Sequence, residues 1–140
     1  MCCTISQDKK EHSVGYCSDV GLVLTRHGAS ELRKSLKTAC LQLSVKNDVR
    51  DLLRTADEHH KDASSGAEVW KWNCIKWYDS EPNFFKEIKF IADIIRSLSE
   101  EDYRFIRIGE DYADVEVLGS YWDNPFGLDI DRALIISATA

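Results

Sequence analysis

The sequence predicts an α+β fold: a mostly antiparallel sheet with helices packed on one face, in the order β-α-α-β-α-β-β-β. Three observations lead there. Apolar residues recur at helical spacing in three stretches between residues 29 and 98. Segments rich in β-formers succeed one another without an intervening helical stretch after residue 103. Helices gathered in one half and strands in the other are the pattern of segregated layers rather than of alternating βα units. The alternating start also admits a split βαβ, ferredoxin-like core.

Residues 20–25 (VGLVLT) read as the first strand. A helix over 29–43 comes next, with Ala29, Leu32, Leu36, Ala39, Cys40 and Leu43 on one face. A second helix over 48–60 has Asn47 as its N-cap and Val49, Leu52, Leu53 and Ala56 on one side. Residues 63–66 (ASSG) form a loop. The strand over 68–78 places Trp70, Trp72 and Cys74 on one face and Val69, Ile75 and Trp77 on the other. Pro82, capped by Asp79 or Ser80, opens a helix running to Leu98, with Phe84, Ile88, Ile91 and Ile95 on its ridge. Phe90 and Ile94 lie off that ridge as a second packing or contact face.

Residues 103–108 (YRFIRI) alternate Arg104, Ile106 and Ile108 against Tyr103, Phe105 and Arg107. With 113–118 (ADVEVL) they form a hairpin, Val115 and Val117 facing inward and Asp114 and Glu116 outward. A loop over 119–127 leads to a last strand over 132–138. Residues 1–13 read as a polar tail and 14–140 as one domain, a size able to bury a single core.

Hydrophobic residues at 44% and charged residues at 30% fit an ordinary globular protein. There is no secretory signal pattern and no apolar run of membrane-spanning length, so a cytoplasmic protein without a membrane role is expected. In that setting Cys2, Cys3, Cys17, Cys40 and Cys74 are expected to be free thiols, with Cys40 and Cys74 as small core residues. Cys2, Cys3, His12 and Cys17 have poor spacing for zinc, and Asp123, Asp129 and Asp131 lack the glycine and closing glutamate of a calcium loop. Adjacent His59 and His60, after Asp57 and Glu58, point about 100° apart on a helix and read as a solvated helix end. No metal or cofactor is expected.

Charge is the most uneven feature. Residues 100–132 hold ten carboxylates against three arginines, a net of −7, whereas residues 1–99 carry 14 acids and 15 bases. Tyr103, Tyr112, Tyr121, Trp122 and Phe126 are interleaved with those acids, a composition suited to a protein interface. The expected contact residues are Glu110, Asp111, Tyr112, Asp114 and Glu116 of the hairpin, with Trp122, Asp129 and Asp131 beside them. Basic residues are scattered without aromatic interleaving, which disfavours direct nucleic-acid contact.

In size, charge and style the chain is similar to the small acidic accessory proteins of phages and mobile elements, anti-CRISPR inhibitors among them. That resemblance implies a non-enzymatic inhibitor that offers carboxylates to a basic, nucleic-acid-handling partner. A second resemblance is local. Leu24-Thr25-Arg26-His27-Gly28, between a strand and a helix, resembles the histidine phosphatase signature, and Leu52-Leu53-Arg54-Thr55-Ala56 echoes that family's second arginine segment. It implies a parallel α/β sheet, His27 as phosphoryl acceptor, and Arg26 and Arg54 as a phosphate clamp. The family's late second histidine has no counterpart here, because no histidine comes after His60. A homo-oligomer pairing through Phe90 and Ile94 is the third expectation.

Overall fold

The computed structural model describes residues 16–78 and 85–130. Strand β1 (Ser18–Leu24) leads into helices α1 (Arg26–Thr38) and α2 (Leu43–Arg54). The chain then forms β2 (Glu58–Lys61), β3 (Glu68–Ile75), α3 (Lys86–Ser97), a single 3-10 turn at Glu100–Asp102, β4 (Tyr103–Ile108) and β5 (Val115–Leu118). The five strands make one sheet in the order β2-β3-β1-β4-β5. Every pairing is antiparallel, so the α+β class holds. The split βαβ core also forms: β1 and β2 run the same way with β3 between them, and β3 and β4 do so with β1 between them. This is the ferredoxin-like order β2-β3-β1-β4, with β5 added at its edge.

The sheet is covered on both faces. On one face Val20, Leu22 and Leu24 of β1, with Trp70, Trp72 and Phe105, meet Leu32, Leu36, Val49, Ile88, Ile91 and Ile95 of the three helices. The apolar periodicity of α1 and α3 works as the sequence predicts: each buries one stripe and leaves its charges outside. Across the sheet, Gly21 leaves room for Leu128, whose Cδ1 lies 2.8 Å from where a Cβ would stand. Arg104 is 4% exposed beneath the same segment. Its guanidinium lies 3.9 Å from the Trp122 ring centroid, donates to the Leu128 carbonyl at 3.3 Å and reaches Asp129 at 3.4 Å. Residues 119–130 are thereby folded onto the face away from the helices.

Several expectations are corrected. The stretch 29–43 contains a joint: α1 ends at Thr38, and Leu43 belongs to α2. Periodicity alone cannot see the joint, because Leu43 continues the spacing. Cys40 falls in the connection and is exposed rather than in the core. Gln42, not Asn47, is the N-cap of α2, and the helix stops at Arg54. Residues 58–61 are not a helix end but the edge strand β2, so the order is β-α-α-β-β-α-β-β. The 63–66 loop is the β2–β3 turn, closed by the Asp62 carboxylate accepting the Ser65 N–H at 2.8 Å and hydroxyl at 2.6 Å.

In β3 the register slips between Ser18 and Val20, leaving an extra residue opposite Asp19. Cys74 takes a left-handed φ of 52° at this bulge, and its N–H donates to Asp19 Oδ1 at 3.0 Å. The slip reverses the facing of the residues beyond it. Trp77 consequently packs with Trp72 and Phe105 in the helix-side core instead of on the opposite face. Cys74 is bonded to Cys17, so neither is a free thiol and Cys74 is not a simple core residue.

The β4–β5 hairpin forms, with the predicted β4 facing. Its second strand is turned over, however: Val115 and Val117 are exposed, while Glu116 and Leu118 face the helix side. Arg107 explains the reversal, because it draws both Glu116 and Asp114 toward itself. Phe90 and Ile94 are half-buried against the core rather than standing free. The tail over 1–13, the Pro82 helix start with its Asp79 or Ser80 cap, and the strand over 132–138 lie outside the described residues.

Candidate functional site

Two charged surfaces stand at opposite edges of the sheet. β5 and β2 are the two outermost strands, four strand spacings or about 19 Å apart.

The expected contact residues fall into two groups, of which only the first lies at the β5 edge. Glu110, Asp111, Tyr112 and Asp114 sit in the β4–β5 turn and Glu116 on β5. Trp122 and Asp129 gather instead around Arg104 on the face away from the helices. Asp131 lies outside the described residues. Some of these carboxylates are held internally. Asp114 takes a forked pair from Arg107, at 2.7 and 3.2 Å, and accepts the Tyr16 hydroxyl. Glu116 lies 3.3 Å from Arg107 and 3.5 Å from Arg96. The hydrogen bond to Asp114, then the charges of Asp114 and Glu116, hold the Arg107 guanidinium more firmly protonated than usual, against its burial. Tyr16 is likewise pushed up, chiefly by its bond to Asp114. Glu110 accepts the Cys17 N–H at 2.8 Å but stays exposed, as do Asp111, Asp123 and Asp129. Tyr112 and Trp122, 73% and 64% exposed, are the most exposed aromatics of the described chain.

The β2 edge is the surface that sequence reasoning missed. Residues 26–61 carry eight bases against five acids. On α1, Arg26, Ser30, Arg33, Lys34 and Lys37 recur at spacings of 4, 3, 1 and 3, one helical face about 16 Å long. At its centre the Arg33 guanidinium makes a two-pronged ion pair with Glu68, at 2.7 and 2.8 Å. Glu68 is 2% exposed, whereas the Arg33 side chain is 57% exposed. His59 Nε2 lies 2.9 Å from the second Glu68 oxygen, and its ring stacks on Trp70 at 4.8 Å and 9°. Burial alone would push the Glu68 carboxyl up, but the hydrogen bonds from Arg33 and His59 outweigh it and hold the group below its ordinary range.

Two adjoining open clefts flank this pair, sharing Arg33 and Lys37. The first, of about 500 Å³, has Leu36, Leu53, Trp70 and His59 on its floor and Arg50 and Arg54 on its rim. The second, of about 600 Å³, runs past Arg26, Ser30, Lys34, Lys61 and Gly66. Gly66 has a φ of +80°, and a Cβ there would collide with the Arg26 guanidinium. The three groups of the central triad come from α1, β2 and β3, and no sequence spacing links them.

The phosphatase-like segment is accounted for by the strand–helix junction. Thr25 caps α1 by accepting the Gly28 N–H at 3.0 Å, and its own hydroxyl and N–H bind Asp102. Gly28 is required by a close approach, since a Cβ would stand 2.9 Å from the Asp102 carbonyl oxygen. Arg26 and His27 are exposed, Arg54 pairs with Asp51 on α2, and Arg26 and Arg54 line different clefts. The sheet is antiparallel, unlike the one the resemblance implies. No helix of the described residues is long and apolar enough to cross a membrane, and none of them form a group of three potential metal ligands. Compared with known proteins, the chain matches no family model, no curated protein and no solved structure, so its fold and its two charged edges are the whole basis for a functional reading.

Proposed function

We propose that this protein is a non-enzymatic, protein-binding inhibitor that presents the β5 edge to a basic, nucleic-acid-handling partner, in the manner of anti-CRISPR-like accessory proteins. The observation that carries the reading is the pairing of exposed carboxylates with exposed aromatics: Glu110 and Asp111 beside Tyr112 in the β4–β5 turn, and Asp123 and Asp129 flanking Trp122 in the segment on the face away from the helices. Carboxylates steer a basic partner and fix register, while a buried aromatic supplies most of the binding energy. Asp114 and Glu116 play a different part. Committed to Arg107, they shape the turn from which the exposed carboxylates of Glu110 and Asp111 project. Such a target puts the protein in the cytoplasm, where most thiols are kept reduced, so the state of the Cys17–Cys74 bond in cells is worth measuring by rapid alkylation.

The test uses Glu110→Lys with Asp111→Lys, and separately Tyr112→Ala, because these side chains are exposed and the substitutions leave Asp114 and Glu116, the carboxylates that bind Arg107, in place. A partner captured from lysate at low salt should bind the charge-reversed protein about tenfold or more weakly, through a slower on-rate and a flatter salt dependence. Equal affinity in a folded double variant retires the reading.

A further inference from the structure

The acidic edge leaves the opposite edge unexplained, and the observations there point to a ligand of another kind. Arg26, Lys34, Lys37 and Lys61 have no carboxylate partner among the described residues. Their charges gather in a protein whose overall charge is −6. The one acid at the heart of this surface, Glu68, is taken up by Arg33 and His59. Like-charged side chains brought together in a concave surface raise the local potential and attract anions.

The two clefts differ in chemistry. The second is ringed by cations, with Ser30 as a hydroxyl donor. The first is lined by Leu36, Leu53 and Trp70, and Trp70 stacks on one face of the His59 ring, while 43% of that side chain is exposed. Cationic walls beside a supported planar ring are what a phosphate joined to an aromatic base requires. Glu68 gives the site rigidity: a buried carboxylate that grips Arg33 with two bonds leaves the guanidinium oriented before any ligand arrives.

We infer that the α1–β2 edge is a nucleotide-binding site, with the base against His59, Leu36 and Leu53 and the phosphate oxygens against Arg33, Lys34, Lys37 and Arg26. The unit is either a free nucleotide or one residue of a single strand, since both present the same ring and phosphate. Nucleotide binding at this edge is independent of the partner-binding reading of the opposite one. Reversal of Glu110 and Asp111 should leave it in place.

The experiment compares three probes on the full chain: fluorescein-labelled oligothymidylate, adenosine triphosphate and inorganic phosphate. Lys34→Glu with Lys37→Glu is the test variant, both side chains being exposed and unpaired, and Lys89→Ala on α3 is the control. The wild type should bind both nucleotide probes at low salt and phosphate at least tenfold more weakly. The charge-reversed variant should lose about tenfold or more, and Lys89→Ala should lose nothing. Tighter binding of the oligonucleotide, with a log–log salt slope of about −2 to −3 for three or four phosphates, identifies a strand. Equal binding of the two probes identifies a free nucleotide. The inference is overturned if neither nucleotide probe binds, if phosphate binds as tightly as they do, or if the double variant binds like the wild type. It is also overturned if the edge instead supports self-association that vanishes in that variant, in which case the occupant is the acidic edge of a second copy.

Discussion

Glu68 shows how one residue links charge to stability. Its carboxyl is held below the ordinary value of 4.5 in the folded chain, through Arg33 and His59. A depressed carboxyl contributes stability that is present above the unfolded value and is lost as pH falls through the folded one. Acid should therefore weaken the protein below about pH 4.5. Arg33→Ala should cost about 1–3 kcal/mol at neutral pH, the range for depriving a buried acceptor of its donor. Because the lost interaction involves the charged form, the gap between wild type and variant should narrow in acid. Urea midpoints at neutral pH and below pH 4 check this, and a gap independent of pH would show that Glu68 is not the group responsible. Nothing in the sequence marked this residue. Its partners lie 35 and 9 positions away, and only the pairing of β2, β3 and β1 beneath α1 brings the three together.

Among the elements, those with a locally written pattern were legible and those defined by a neighbour were not. β4 has the predicted limits, and α3 ends within a residue of the expected position, because alternation and helical spacing are properties of the segment itself. β2 reads EHHK, is exposed throughout, and is a strand only by virtue of its pairing with β3. The reversal of β5 results from Arg107, a residue of another strand. The segment over 119–130 depends in the same way on Arg104. Removing that guanidinium should loosen the whole segment, since it holds the Leu128 carbonyl, Asp129 and the Trp122 ring at once. Arg104→Ala should cost about 2 kcal/mol or more, the scale of a buried charged hydrogen bond. It should also speed limited proteolysis within 119–130 under native conditions, and an unchanged cleavage rate there would deny Arg104 its anchoring role.

At the scale of the molecule, the Cys17–Cys74 bond joins the start of β1 to the bulge in β3 across 57 positions. Closing a loop of that length in the unfolded chain removes entropy equivalent to about 4 kcal/mol. Cys17→Ser with Cys74→Ser should lower the urea midpoint accordingly, and reductant should lower the wild type to a similar value. A wild-type midpoint insensitive to reductant would show that the bond adds nothing to stability. The same scale governs the charge pattern. Acids of the β4–β5 hairpin and bases of α1 and β2 become two opposed edges only because β2 and β5 end up on opposite sides of β1.

The α+β class, the amphipathic faces of the helices, the alternation along β4 and the uneven placing of charge are all written in the amino-acid sequence. Each of these rests on residue types within one segment, where spacing translates directly into a face. Tertiary structure alone decided the β3 bulge and its disulfide, the turning of Glu116 and Asp114 toward Arg107, and the Arg33–Glu68–His59 cluster under the basic clefts. Those features depend on which strands become neighbours and in what register, and that choice is made by packing across the whole sheet, which no local pattern encodes.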